Sequence, residues 1–452
     1  MSIHTGLNVE PEDDAAPEHA TVEQLRQAVA ARVRSSTTVP TAELRPLVED
    51  EIAAWVRQRA QAGLPPPSTV EERQLAHHVL AALSGLGGLA PLLQREDVEN
   101  IHIHGCDRVF LELADGTLQR WPRPVASSDQ ELLDLLSGIF ARRGRTSREF
   151  SPAAPIGNLR LPDGGPLGAR LSALREVTDR PRVAIRRHRH SHASLDTLTE
   201  LGTLTPTVRE FLSTAVAAGL NLLVTGGPAA GKTTLLRALA HQIPACEHVV
   251  TVEDDSELGL HLDEDRLVTA AEAREANGEG HGQITLDDLL TQALRHSPSR
   301  VLVGEVRGGE ITSLLRALGN GAAGGMGTLH AAAATSVPQR ISALAQLAQP
   351  PLPTEAAHQW TATALDLIVH ITRDDRDTPR KRRVSQVVEV GPVGDAHTPD
   401  LTSLFRPDPS SGQAQLLHPP SPTLRARLEH AGLDPHLLHP EPEGNAPTGG
   451  AW

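Results

Sequence analysis

The stretch that decides the fold is Asn221-Leu222-Leu223-Val224-Thr225-Gly226-Gly227-Pro228-Ala229-Ala230-Gly231-Lys232-Thr233-Thr234, in the middle of a 452-residue chain. It contains the pattern G-x-x-x-x-G-K-[ST], whose glycines let backbone N–H groups converge on phosphate oxygens. An apolar strand precedes this loop, and a helix follows it with its positive end aimed at the same anions. The stretch therefore predicts a nucleotide-binding loop in a parallel α/β sheet.

The loop pattern predicts ATP and Mg²⁺ as ligands. Lys232 would reach the β- and γ-phosphates, and the Thr233 hydroxyl would bind Mg²⁺. Lys232 is one of only two lysines among 42 basic residues, which suggests that arginine cannot replace it. The residues that we expect to surround the phosphates are Gly226, Gly227, Pro228, Ala229, Ala230, Gly231, Lys232, Thr233 and Thr234.

Two further apolar strands are followed by carboxylates. Glu253, with Asp254 and Glu257 after it, ends the segment that begins at His248, and Glu305 ends the segment that begins at Val301. Strand ends of an open α/β sheet face the ligand crevice, so these carboxylates are placed to act on a nucleotide. We expect Glu253 to position or activate water and Glu305 to organise Mg²⁺ and water, although the two glutamates could exchange roles.

Apolar spacing and turn residues divide the chain into six regions. Val22, Leu25 and Val29 recur at helical spacing, whereas Asp115-Gly116 is typical of a hairpin between short strands. Helices alternate with apolar strands after residue 204, which predicts a doubly wound parallel sheet. The expected regions are a disordered segment (1–20), a helical appendage (21–92), an N-terminal α+β domain (93–187), a linker (188–203), an α/β core (204–392) and a weakly ordered tail (393–452).

Composition excludes several classes of protein. The formal charge is −14, from 42 basic and 56 acidic residues, which disfavours a protein that coats nucleic acid. No apolar run is long enough to span a membrane, and residues 1–20 lack the apolar segment of a signal peptide. Two cysteines cannot form a disulfide framework. These features favour a cytoplasmic protein.

Four segments in this order resemble the secretion ATPase superfamily of type II and type IV secretion and type IV pili. The segments are the phosphate loop, the acidic cluster after residue 252, Val303-Gly304-Glu305-Val306-Arg307-Gly308-Gly309-Glu310 and Thr328-Leu329-His330-Ala331. In that superfamily they are the Walker A loop, the Asp box, the Walker B strand and the His box. The amino-acid sequences of the last two segments are most similar to those of the CpaF branch, the motors of tight-adherence (Flp) pili. Similarity also extends to Leu161-Pro162-Asp163-Gly164, Gly168-Ala169-Arg170-Leu171 and Val183-Ala184-Ile185-Arg186-Arg187.

The resemblance implies a RecA-like ATPase core preceded by a smaller, PAS-like α+β domain. It implies a homohexamer with ATP bound between each N-terminal domain and its core, working on inner-membrane platform proteins from the cytoplasmic face. Arg170 and Arg186 match arginines that meet the phosphates, and Arg307 and His330 would sense the γ-phosphate. Hydrolysis would then power assembly of a pilus or export of a protein.

The sequence departs from the superfamily pattern in two places, and it leaves alternatives open. Pro228-Ala229-Ala230 replaces Thr-Gly-Ser, so one backbone N–H is missing, and Gly324-Gly325 replaces Gly-His. One alternative function is a type IV secretion traffic ATPase for conjugation or protein export. Others are a nucleic-acid-stimulated RecA-like helicase, which the acidic charge disfavours, and a switch that binds nucleotide without turnover.

Overall fold

The computed structural model divides the chain into two compact units. Unit 1 comprises residues 1–112 and 118–187, and unit 2 comprises residues 113–117 and 188–452. The structure describes residues 19–32, 41–143, 150–162, 165, 167–187, 193–276, 280–319, 323–374, 381–409 and 411–438. The segment expected to be disordered, 1–20, lies outside these residues apart from His19 and Ala20, which begin the first helix.

Unit 1 begins with a group of helices. Their apolar residues recur three or four positions apart, which places them on one face of each helix. These faces pack together through Leu25, Val29, Val48, Ile52, Leu75, Val79 and Leu80. The helices are α1 (His19–Arg32), α2 (Thr41–Gln61), α3 (Thr69–Ser84) and the short α4 (Ala90–Leu93).

A six-stranded antiparallel sheet and one helix complete unit 1. Buried and exposed side chains alternate along several strands, so one face of the sheet is apolar. A Cβ on Gly157 would lie 2.5 Å from Cζ of Phe140, so glycine lets the helix pack closely against the sheet. The elements are β1 (Val98–His104), β2 (Arg108–Leu113), β3 (Leu118–Trp121), α5 (Asp129–Arg143), β4 (Ile156–Leu161), β5 (Ala169–Leu174) and β6 (Arg182–Arg187), and the strand order is β3-β2-β1-β6-β5-β4.

Unit 2 is built on a nine-stranded sheet with helices packed against it. The central strands are continuous apolar runs because they are buried on both faces. The first half of the unit contains α6 (Leu195–Glu200), α7 (Pro206–Ala217), β7 (Leu222–Gly226), α8 (Lys232–Ala240), β8 (Val249–Glu253), β9 (Val268–Glu272), α9 (Leu286–Ala293), β10 (Arg300–Val306) and α10 (Ile311–Gly319). The second half contains β11 (Met326–His330), α11 (Val337–Ala345), α12 (Thr354–Ala364), β12 (Leu367–Asp374), β13 (Lys381–Val393), β14 (Pro399–Pro407), β15 (Ala414–Leu416) and α13 (Pro422–His430).

The strand order of this sheet is β15-β14-β13-β12-β7-β11-β10-β8-β9. The strands from β12 through β7 to β9 are parallel, and β13, β14 and β15 extend the sheet by antiparallel pairing. Parallel strands joined by crossover helices form the doubly wound, RecA-like α/β fold that the sequence predicts.

The linker and the tail expected from the sequence need correction. Residues 195–200 of the expected linker form α6, whose Leu195 and Leu198 belong to the core of unit 2. The Ser194 side chain accepts the N–H of Thr197 and so caps this helix. The segment 188–192 lies outside the described residues.

The described part of the tail is folded rather than weakly ordered. Beyond residue 392 the chain forms β14, β15 and α13, and apolar residues of its last segments enter the core of unit 2. Arg427 of α13 also pairs with Asp366 beside β12. The Pro- and His-rich composition hides this because the few leucines that anchor the segment are widely spaced: Leu424, Leu428, Leu433 and Leu438. Among the described helices, none combines the length and apolar character needed to cross a lipid bilayer.

Candidate functional site

The candidate site lies where parallel strands of unit 2 end at one edge of the sheet. Pairing places His330 of β11 opposite Gly226 of β7, and Leu329 opposite Val306 of β10. Strand β8 is parallel to β10 and ends at Glu253. Residues at and after these strand ends therefore converge, as in other open α/β sheets.

The loop between β7 and α8 forms a cradle that depends on glycine. A Cβ on Gly226 would lie 2.2 Å from the carbonyl oxygen of Ile371, so no larger residue fits. Gly231 has φ +101° and Ala229 has φ +54°, the left-handed conformation. No described atom lies within 4 Å of the position that a Cβ on Gly227 would take. Because the first N–H groups of a helix lack partners within it, the start of α8 at this open loop suits an anion.

Lys232 is the first residue of α8, and its ammonium group lies at the centre of the site. Its side chain is only 6% exposed, and Nζ donates a hydrogen bond to the Gly227 carbonyl at 3.1 Å. Nζ also lies 3.0 Å from Nδ1 of His330 and 3.8 Å from Oε1 of Glu305. A buried ammonium is costly unless it is paired, and these oxygen and nitrogen partners stabilise it.

His330 connects Lys232 to the carboxylate at the end of β10. Its Nε2 lies 2.8 Å from Oε1 of Glu305, while Nδ1 faces Lys232. Burial, together with the nearby charge of Lys232, lowers the pKa of His330. A neutral imidazole fits both contacts, because Nδ1 can accept from the ammonium while Nε2–H donates to the carboxylate.

Glu305 is in turn held by Arg307. Arg307 Nε donates to Oε2 of Glu305 at 2.7 Å, and its Nη1 lies 3.7 Å from Oδ2 of Asp254. An unbroken chain of contacts therefore runs from Lys232 through His330 and Glu305 to Arg307 and Asp254. The structure thus brings together four of the residues singled out from the sequence, along with one of their expected supports.

Glu253 is buried at the end of β8 and lies outside that chain of contacts. It is 2% exposed, and its Oε1 accepts the backbone N–H groups of Glu257 and Leu258, both at 2.9 Å. Burial raises the pKa of Glu253 from 4.5 to about 7, although the two backbone hydrogen bonds lower it. A Cβ on Gly304 would lie 3.0 Å from Cγ of Glu253, so this glycine of β10 makes room for the carboxylate.

Arg237 supports Glu253 and was missed in the sequence. It is 4% exposed, and its guanidinium donates to the backbone carbonyls of Glu257 and Leu258. The same two residues present their N–H groups to Glu253, so Arg237 holds the turn that positions the carboxylate. Glu257 contributes to the position of Glu253 through its backbone N–H. The sequence had suggested that its carboxylate would be the supporting group. Helical position alone could not reveal this role, because the contact crosses from α8 to the loop after β8.

Thr233 and Thr234 follow Lys232 in the first turn of α8, and both are half-buried. Hydroxyl and carboxylate oxygens are ligands that Mg²⁺ prefers, usually beside phosphate oxygens and water. Thr233 follows Lys232, whose Nζ lies 3.8 Å from Oε1 of Glu305. A hydroxyl and a carboxylate are therefore present at this end of the sheet, and these residue types fit a magnesium ion.

Arg170 lies in unit 1, on β5. It is half-buried and stands directly opposite Arg160 of β4 and Arg186 of β6. Like charges directly opposite one another on a sheet repel. The pairing therefore aligns a row of three arginines across β4, β5 and β6.

Two residues that the sequence did not single out lie beside the phosphate loop. Arg382 of β13 donates from Nε to the Ala229 carbonyl at 3.3 Å. His370 of β12 is buried behind the loop, with Nδ1 3.0 Å from Oγ1 of Thr225. Both arrive through sheet pairing late in the chain, and no motif marks them.

Known proteins are similar to this chain over most of its length, including the residues of the site. The Type II/IV secretion system protein family matches residues 84–398, well over half of the chain. A protein of Mycobacterium tuberculosis, provisionally named a conjugal transfer protein, is 33% identical over 308 residues, which cover 68% of this chain and 84% of that protein. The TrbB protein of Sinorhizobium fredii, with the same provisional description, is 32% identical over 306 residues, 67% of this chain and 86% of that protein.

A crystal structure of the VirB11 ATPase from the Brucella suis type IV secretion system covers 69% of this chain and 95% of its own, with 24% identity and a TM-score of 0.35. Assignment of the chain to a family rests on the family match and on the two sequence relatives, not on this structure. The chain belongs to the Type II/IV secretion system protein family.

Proposed function

We propose that this chain binds ATP with Mg²⁺ at residues 226–234 and hydrolyses it. The observation that carries the proposal is the position of Lys232, buried beside an open glycine loop and in contact with Glu305 and His330. In P-loop NTPases the loop backbone and its lysine hold the β- and γ-phosphates, and the loop Ser or Thr and a carboxylate hold Mg²⁺. Mg²⁺, bound by Thr233 and Glu305, would neutralise charge on the phosphates.

Glu253 is the residue that we propose to accept the proton of the attacking water. Its pKa of about 7 is close to the pH of a bacterial cytoplasm, which is where a general base works best. The sequence left open whether Glu253 and Glu305 exchange roles. The contacts of Glu305 with His330 and Arg307 favour a role for Glu305 in organising the metal and its water.

Arg307, His330 and Arg170 are proposed to respond to the phosphates. Contacts of His330 and Arg307 with Glu305 would let loss of the γ-phosphate alter the whole chain of contacts. Arg170, within the row of arginines in unit 1, would meet the phosphates when the N-terminal domain closes on the core. An arginine delivered by such a movement would make hydrolysis depend on closure.

In the cell, we propose a homohexameric motor on the cytoplasmic face of the inner membrane, working on platform proteins. One candidate function is assembly of a CpaF-type, Flp-like pilus. This candidate rests on the amino-acid sequences of the segments around Glu305 and His330. The other is a type IV secretion traffic ATPase, which the conjugal transfer relatives favour.

Deletion of the gene, complemented by wild type or by Lys232→Ala, would separate these two candidate functions. Loss of surface filaments supports the pilus, and loss of conjugation or protein export supports the traffic ATPase.

Turnover of Glu253→Gln and Glu305→Gln tests the proposed chemistry. Each variant removes one carboxylate charge with little change in shape, and we expect each to lower kcat at least about a hundredfold. Glu264→Gln, at an exposed position, is the matched control and should hydrolyse ATP like wild type. Near-wild-type turnover in either site variant would remove the role assigned to that residue.

A further inference from the structure

Strand β10, which carries one of the carboxylates of the site, contains a β-bulge near its end. Val303 of β10 pairs with Gly327 of β11, and Val306 pairs with Leu329. Between these pairs β10 advances by three residues and β11 by two, so β10 holds one extra residue. Pairing of β10 with β8 on its other side ends at Val303. The two residues that follow Val303 therefore lie between paired positions and form the bulge.

The bulge decides which face of the sheet Glu305 occupies. Val303 and Val306 belong to the same apolar core cluster, although they are three residues apart. In a regular strand Glu305, two residues after Val303, would share that apolar face. The extra residue instead makes Glu305 face away from the cluster. Leu329 of β11 belongs to the same cluster, so His330 also faces away from it and meets Glu305.

Thr328 of β11 holds this bulge from the neighbouring strand. Its side chain is 0% exposed, and Oγ1 donates a hydrogen bond to the carbonyl oxygen of Gly304 at 2.7 Å. A Cβ on Gly304 would lie 3.0 Å from Cγ of Glu253, so the same residue is also confined from the side of β8. Because Gly304 directly precedes Glu305, the hydrogen bond from Thr328 fixes the backbone from which the Glu305 side chain extends.

The contacts of Glu305 depend on this backbone position. Oε1 lies 2.8 Å from Nε2 of His330, and Oε2 accepts from Nε of Arg307 at 2.7 Å. Hydrogen bonds of this length tolerate shifts of only a few tenths of an ångström before they weaken. The Thr328 hydroxyl contacts the backbone before Glu305, so its effect on the site passes through that carboxylate.

We propose that Thr328 is a positioning residue for Glu305. Its hydroxyl fixes the bulge at Gly304 and thereby aims the Glu305 carboxylate at His330 and Arg307. The inference rests on the proposed function, because it takes Glu305 to organise Mg²⁺ and its water. It adds a residue that acts on the metal site through the backbone of β10.

Steady-state ATP hydrolysis by the full-length protein gives the first readout. Thr328→Val removes the hydroxyl with little change in shape and should lower kcat about tenfold, the loss typical of a residue that supports a metal ligand. Thr328→Ser keeps the hydroxyl and should stay within about threefold of wild type. The matched control is Thr361→Val in α12, because Thr361 is also 0% exposed and donates to the carbonyl of Ala357 at 2.7 Å. This control should hydrolyse ATP like wild type.

Calorimetric titration with ADP, with and without Mg²⁺, gives a readout that does not require turnover. Thr328→Val should bind MgADP about tenfold more weakly than wild type, because the carboxylate that we propose for the metal is misplaced. Its affinity for ADP without Mg²⁺ should equal that of wild type. An equal loss of affinity with and without Mg²⁺ would show a general effect on the fold and would overturn the inference.

A double variant tests whether Thr328 acts through Glu305. Adding Thr328→Val to Glu305→Gln should change kcat by less than about twofold, whereas a further tenfold fall would overturn the inference. Wild-type activity in Thr328→Val, or equal losses in Thr328→Val and Thr328→Ser, would also overturn it. If Thr328→Val does not fold, Thr328→Ala against Thr328→Ser makes the same comparison. Wild-type turnover in Glu305→Gln alone would instead contradict the proposed function.

Discussion

Replacing Glu253 by glutamine should stabilise the protein at alkaline pH and not at acidic pH. Gln keeps the carbonyl oxygen that accepts the N–H groups of Glu257 and Leu258, so the local hydrogen bonds survive. It removes the charge that burial disfavours in the folded state. The effect therefore depends on whether the wild-type carboxyl is ionised.

The sign and size follow from the pKa of Glu253, which is about 7 in the folded protein and ordinarily 4.5. Between these values the folded state binds the proton that the unfolded state has released, so wild-type stability falls as pH rises. Linkage gives a loss of about 2 to 3 kcal/mol between about pH 5 and about pH 8 for wild type and none for Glu253→Gln.

Differential scanning calorimetry of both proteins across this range measures the effect. For a domain of the size of unit 2, about 2 to 3 kcal/mol corresponds to about 5 °C. The melting temperature of Glu253→Gln, relative to wild type, should therefore rise by about 5 °C from the acidic to the alkaline end. Exposed Glu264→Gln should give no such trend. A constant difference in melting temperature between Glu253→Gln and wild type at every pH would show that folding does not raise the pKa of Glu253.

Three further predictions concern Pro228 of the phosphate loop, the contacts of His330, and the ion pair between Arg300 and Glu247. Pro228→Thr should tighten ATP binding about threefold in calorimetric titration, because it restores one backbone N–H donor; unchanged affinity would show that the proline is neutral. His330→Asn should lower kcat about tenfold while KM changes less than about twofold, because the ring contacts Glu305, whose proposed role is to organise the metal and its water; a rise in KM alone would contradict this. Arg300→Met should destabilise unit 2 by about 3 kcal/mol in thermal unfolding, because Glu247 loses its buried partner. Exposed Arg316→Met is its control, and equal melting temperatures would contradict the structural role of Arg300.

Residues whose role is set by local pattern were the most predictable from sequence. The glycine loop and the strand before it identify the parallel sheet, because glycine and a continuous apolar run each have a local physical reason to be there. Glu253 and Glu305 follow from the rule that strand ends of such a sheet meet at one edge. The helices of unit 1 follow from apolar spacing in the same way.

Roles set by contacts between distant segments were not predictable. Leu195 and Leu198 lie in a polar segment that composition marks as a linker, yet they belong to the core of unit 2. Arg237 and Arg382 gain their positions from the loop after β8 and from the β12–β13 pairing. A local pattern carries no information about which carbonyl a guanidinium will reach through the fold.

The central claim is that residues 226–234 form the site of ATP hydrolysis. Its most direct test is steady-state ATP hydrolysis with Mg²⁺ over a series of protein concentrations, for wild type and Lys232→Ala. We predict that specific activity rises cooperatively with wild-type concentration, as the proposed hexamer assembles, and that Lys232→Ala is inactive throughout. Hydrolysis by Lys232→Ala at the wild-type rate would contradict the account.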